Sequence, residues 1–168
     1  MQRWRRKPPT LHGSNGTLQS ARHINKGNGT GPMNIDRFKT QHVEILGGIS
    51  ALRELAHQGI ESHAVDMAHE LKALSRVITT HLAIEDRILY PSILRSGDPN
   101  VARMAREYQD DMKGIANAFI AFARRWGSAT ALTRDPEGFR TDANSVLKNV
   151  HARMLRENRE FYPAIEAL

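Results

Sequence analysis

Residues 81–91 read HLAIEDRILYP and residues 157–163 read ENREFYP, so the chain twice writes Glu, then Asp or Asn, Arg, a variable residue, Leu or Phe, Tyr and Pro. In the first copy His81 stands four residues before Glu85; in the second, Arg153 stands four before Glu157. Side chains four apart on a helix project from the same face, so the His81 imidazole and the Glu85 carboxylate can share one metal ion. The chain has no Cys, which removes thiolate ligands, disulfides and a cysteine nucleophile, and suits a reducing cytoplasm. Any metal must then use His, carboxylate or Tyr. Such nitrogen and oxygen sets suit iron, manganese or zinc rather than calcium.

The elements that would position these groups are helical, and no strand is expected. The first helix spans residues 35–57, with Phe38, His42, Ile45, Ile49, Leu52 and Ala56 on one face and a break at Gln58 and Gly59. The second spans residues 62–94, with Met67, Leu71, Leu74, Ile78, His81, Glu85 and Ile88 at steps of three and four, the pattern of a bundle seam. Ser96, Gly97, Asp98 and Pro99 form the next break, with Asp98 as N-cap and Pro99 at the first helical position. The third helix carries Val101, Met104, Tyr108, Met112, Ile115, Phe119, Phe122 and Trp126 inward, residues 127–133 turn, and the fourth spans residues 136–167. Its inner face reads Phe139, Ala143, Val146, Val150, Met154, Glu157, Phe161 and Ala164. Short loops between four such helices predict an all-α, antiparallel up-down-up-down four-helix bundle.

Burying a His or a carboxylate without partners costs several kcal/mol, so polar residues on a seam should meet one another. In an antiparallel hairpin, residues equally far from the loop centre lie at about the same height. With loop centres near residues 61, 97 and 132, His42 faces about residue 80, Glu85 about residue 109, and Tyr108 about residue 156. His42, His81, Glu85, Tyr108 and Glu157 therefore share one layer, to which Asp111 and Arg153 also belong. His151 is rotated about 120° from Glu157 and stays outside it.

On FKTQH at residues 38–42, HLAIEDRILYP and ENREFYP, residues 34–168 resemble the hemerythrin (HHE cation-binding) family. The resemblance implies a four-helix bundle holding a non-haem di-iron centre for oxygen or related small molecules. His42, His81, Glu85 and Glu157 match its ligand positions. Two places depart from it: Glu107 and Tyr108 stand where a Glu-His pair is expected in the third helix, and Arg153 stands where a His is expected in the fourth. Glu107, Tyr108 and Asp111 are the candidates to replace lost imidazoles, giving one or two iron ions, with manganese or zinc as alternatives. The exogenous ligand would be oxygen, nitric oxide or peroxide.

Plainer readings accompany each of these. His81 with Glu85 can be a buried hydrogen-bonded pair that pins register, Tyr108 a core aromatic, and Glu107 and Asp111 solvated flanks. Arg153 can form an ordinary salt bridge with Glu157 or, pointing inward, replace the charge of a second metal. The paired Tyr-Pro endings call for no chemistry and mark a kink or terminus after each Glu. His57, His63 and His69 read as surface residues. A metal-free four-helix module that engages a protein partner or a second copy is the alternative function. No activated nucleophile or cofactor loop points to an enzyme.

The net charge of +6 is that of residues 1–32, which hold six Arg or Lys and no acid, while the 18 bases and 18 acids that follow cancel. Nucleic acid is therefore not an expected partner of the body. Residues 1–33 are rich in Gly, Ser, Asn and Thr and read as a disordered basic tail. An over-extended reading frame before Met33, a polyanion-binding arm, and a transit-type peptide or linker all fit that composition. No apolar run is long enough for a membrane span.

Overall fold

A computed structural model describes residues 35–168; the basic tail of residues 1–33 lies outside the described residues. The described residues are helical, with no strand among them. Their order is α1 (Asp36–Gln58), α2 (Ala64–Ile84), a π-turn (Glu85–Leu89), α3 (Tyr90–Leu94), α4 (Pro99–Trp126), α5 (Ala129–Arg134), α6 (Pro136–Arg156), a second π-turn (Glu157–Phe161) and α7 (Tyr162–Glu166). No helix among them is long and apolar enough to cross a membrane.

Local chemistry sets the boundaries. Gly59, at a φ of 126° that other residues rarely adopt, ends α1. The Asp98 carboxylate accepts the backbone N–H groups of Asn100 (2.8 Å) and Val101 (3.0 Å), and Pro99 follows at the start of α4, where its missing N–H costs nothing. Asp135 caps α6 through the Gly138 N–H in the same way. Residues 127–133, expected as a plain turn, hold the short α5 started by Ser128.

The apolar core falls into two clusters. One contains Ile45, Ile49 and Leu52 of α1, Met67 to Ile78 of α2, Phe119, Phe122 and Trp126 of α4, and Phe139 to Met154 of α6. The other contains Ile35 and Phe38, Leu89, Tyr90 and Ile93, Val101 to Tyr108, and Phe161, Tyr162 and Ile165. The chain passes from one cluster to the other four times, and at each passage except that of α4 it leaves buried polar side chains between them: His42, then His81 and Glu85, then Arg153 and Glu157.

The two Tyr-Pro motifs do not end their helices. Each lies just past a π-turn closed by the Tyr90 N–H on the Glu85 carbonyl and the Tyr162 N–H on the Glu157 carbonyl. Pro91 and Pro163 have no N–H to give the carbonyl four residues back and would clash with it in a regular helix; the wider turn accommodates both. The extra residue also moves the inner face by one position. Ile88, expected inside, is 54% exposed, and Leu89 is fully buried. Leu89→Ala should therefore cost about 2–5 kcal/mol, and Ile88→Ala less than about 0.5 kcal/mol, in urea unfolding of the purified protein. Equal costs would contradict the shifted register.

Candidate metal centre

α1 brings His42, α2 brings His81, and the two π-turns bring Glu85 and Glu157. One ligand atom from each lies within 4.8 Å of the others, and all four residues are buried. The imidazoles are oriented from behind. His42 Nδ1 lies 2.7 Å from Asn158 Oδ1, and His81 Nδ1 lies 3.2 Å from Gln41 Oε1. Both oxygens are acceptors, so a ring in its neutral form would carry its proton on Nδ1 and turn an Nε2 lone pair inward. The two Nε2 atoms are 3.2 Å apart. His42 Nε2 is also 3.2 Å from Glu157 Oε2, and His81 Nε2 is 3.5 Å from Glu85 Oε1.

Electron pairs thus face electron pairs, with few protons to reconcile them. The Tyr162 hydroxyl is 3.0 Å from His42 Nε2 and 3.2 Å from Glu85 Oε1, and its one proton can serve only one of them. Glu85 Oε2 and Glu157 Oε2 are buried and accept no hydrogen bond. A cation held by one atom of each of the four residues would take the two Nε2 atoms and one oxygen of each carboxylate, and a two-nitrogen, two-oxygen set suits iron, manganese or zinc. The residues fit such an ion.

Arg153 is buried beside this cluster. Its Nε donates to Glu157 Oε1 at 2.6 Å, one Nη donates to the Tyr108 carbonyl at 2.7 Å, and its guanidinium lies 4.4 Å over the Tyr108 ring. Burial opposes charge on Glu157, but the neighbouring His42 and then Arg153 outweigh it and hold its pKa below the usual carboxylate value. Glu85 is pushed the other way, by burial first and then by the charge of Glu157. Burial, the neighbouring His42 and Arg153 lower His81 to about 4, although Glu157 opposes them. Burial and the two carboxylates keep the Tyr162 hydroxyl protonated.

The remaining candidates lie elsewhere. Tyr108 is buried, stacks on Phe161 and donates to Glu160 Oε2 at 3.0 Å; burial and that bond raise its pKa to about 12. Glu107 is exposed and paired with Arg103, and Asp111 is exposed and paired with Arg156, so neither carboxylate joins the four. Both sit on the outer flank of α4, and their arginines draw them outward. His57 and His69 are exposed and His63 is half-buried, all away from the cluster.

Sequence reasoning passed over Tyr162, Gln41 and Asn158. A residue five positions on turns about 140° away in a regular helix, so Tyr162 reads as off the Glu157 face. The π-turn brings it back. The available signal was the repeat itself, which places Tyr five residues after each Glu.

The family described as Hemerythrin HHE cation binding domain matches residues 33–165. The chain belongs to that family. No curated protein and no solved structure matches it.

Two outcomes follow for stability. Arg153→Met should destabilise the protein by about 3–5 kcal/mol, because it strands the Glu157 charge, and adding Glu157→Gln should recover part of that loss; additive losses in urea unfolding would count against the pair. In metal-free protein, His81 has a folded pKa of about 4, below its unfolded value. The unfolded chain then binds the extra proton between about pH 6.5 and 4, so this contribution, about 3 kcal/mol, is present above pH 6.5 and lost on acidification. Glu85, with a raised pKa, contributes with the opposite sign, stabilising at low pH and losing that effect as pH rises. Urea midpoints at pH 6.5 and 4.5 should therefore fall less in His81→Asn than in the wild type.

Proposed function

We propose that the protein binds a single iron ion through His42, His81, Glu85 and Glu157, inside an antiparallel four-helix bundle, and uses it to bind or sense oxygen, nitric oxide or peroxide. The observation that carries this reading is the pair of imidazole Nε2 atoms 3.2 Å apart beside two buried carboxylates, each ring backed at Nδ1 by a side-chain carbonyl. Membership of a cation-binding family supports a metal at this place, and the resemblance to hemerythrins favours iron, with manganese or zinc as substitutes. Bound iron would supply a Lewis-acidic, redox-active position for a small molecule.

The chain's own residues set the rest. Asn158 and Gln41 hold the imidazole tautomers. Tyr162 orients Glu85 or His42 through its one proton. Arg153 holds Glu157 Oε1, leaving Oε2 for the cluster, and occupies with its guanidinium the side where a second metal would need an imidazole. That fixed charge argues for one ion rather than two. It also favours a second reading, a metal-free helical module that engages a protein partner or another copy, because Glu157 is already neutralised.

Elemental analysis of protein made in iron-supplemented cells should find about one iron per chain, and His81→Ala should remove it, since losing one of two nitrogen donors typically costs orders of magnitude in affinity. Iron unchanged in His81→Ala would exclude this site. A well-folded wild type without metal would favour the module.

A further inference from the structure

A cavity of about 370 Å³ opens between α2 and α4, and Glu85 lines it together with Leu82, Asp86, Tyr90, Gln109 and Met112. Lys113, Ala116 and Asn117 complete its α4 wall. Glu85, Tyr90 and Met112 are buried and form its floor, while Asp86 and Lys113 are exposed at its rim. This depression therefore runs from solvent to one member of the buried cluster. Its volume suits a small molecule.

The floor and what lies behind it carry unmatched polar atoms. Glu85 Oε2 is a buried acceptor with no donor, and Arg153 Nη1 is a buried donor with no acceptor. Arg153 lies directly behind the floor, its other Nη 3.5 Å from the Tyr90 hydroxyl. Leaving Glu85 Oε2 unpaired costs roughly 1–3 kcal/mol, a cost that a guest donating a hydrogen bond would relieve, and the Gln109 amide in the same lining is a donor for the guest's own acceptor. The charges choose among guests. Asp86 is acidic and exposed at the rim, and the Lys113 ammonium is engaged by Asp110 at 2.8 Å, so an anion gains little here. Gln109 bridges the rim by donating to Asp86 Oδ1 at 3.3 Å, a long bond between half-exposed and exposed groups that a passing molecule can open.

We propose that this α2–α4 cavity is the entry route to the cluster, and that it admits a small neutral molecule able to donate and accept hydrogen bonds, of the hydrogen peroxide class, in preference to small anions. The inference rests on the proposed iron site. Ala116 lies in the α4 wall and is half-buried, so Ala116→Phe would fill the cavity without touching the four cluster residues. Ala143→Phe, which fills a separate groove lined by Leu52, His57 and Arg140, is the control.

The test is stopped-flow mixing of ferrous-loaded protein with hydrogen peroxide, and separately of ferric protein with azide, alongside elemental analysis of every sample. With iron content equal in all variants, Ala116→Phe should slow the peroxide-driven absorbance change by about tenfold or more, and Ala143→Phe should leave it unchanged. Peroxide should also outpace azide in the wild type. In the zinc-loaded wild type, which is redox-silent, added peroxide should shift the amide resonances of Asp86, Gln109 and Lys113. Equal peroxide rates in Ala116→Phe and the wild type, or shifts confined to another face, would overturn the route while leaving the iron site standing. Faster azide would overturn the preference for a neutral guest. Wild-type protein without iron would remove the iron site and this route with it. If Ala116→Phe does not fold, Asn117→Leu at the same wall takes its place with the same expected slowing.

Discussion

A layer of ionisable side chains closed off from water governs this structure. Two carboxylates, two imidazoles and a guanidinium lie between two apolar clusters. Each would be costly alone in such surroundings, so every one must find its match within reach of a few ångströms. Glu157 finds Arg153, the imidazole Nδ1 atoms find side-chain carbonyls, and Glu85 finds Tyr162. What stays unmatched points to the middle of the layer. The helices can be viewed as a frame whose register is dictated by that matching, because a shift of one residue in any of them would strand a charge.

Much of this was legible in the sequence. Steps of three and four placed His42, His81, Glu85 and Glu157 on apolar faces, and equal distances from the turns placed them at one height; these four are the ones that converge. The cap at Asp98 and the break at Gly59 follow from residue chemistry alone. Periodicity fails where the backbone leaves the period. The π-turns exchange Ile88 for Leu89 on the inner face and bring the Tyr residues inward, and a count at 100° per residue has no way to represent an inserted one. Asp111 was placed by height, which does not specify rotation, and Glu107 by its place in the motif beside Tyr108; nearby arginines hold both at the surface.

The repeated motif acquires a structural meaning that neither copy has by itself. Tyr162, from the second copy, reaches Glu85 of the first, while Tyr90, from the first, reaches toward Arg153 of the second. The two copies of the motif therefore exchange hydroxyls across the layer. His81 and Arg153 hold equivalent places in this exchange, one a titratable nitrogen base and the other a permanent cation. The repeated motif thus carries an asymmetric distribution of charge, with Glu157 held toward its ionised form and Glu85 driven toward its neutral form.

That asymmetry bears on how the molecule is assembled in time. A cation tethered by its own backbone is present from the moment the chain leaves the ribosome, and it needs no delivery, no oxidation state and no supply. With Arg153 pinned on Glu157 and the Tyr108 carbonyl, the half of the layer nearest α4 and α6 can close as those helices dock. The half nearest α1 and α2 closes around lone pairs instead. With the proposed ion, maturation would be a one-sided event, in which the tethered half serves as the mould for the half that the ion fills.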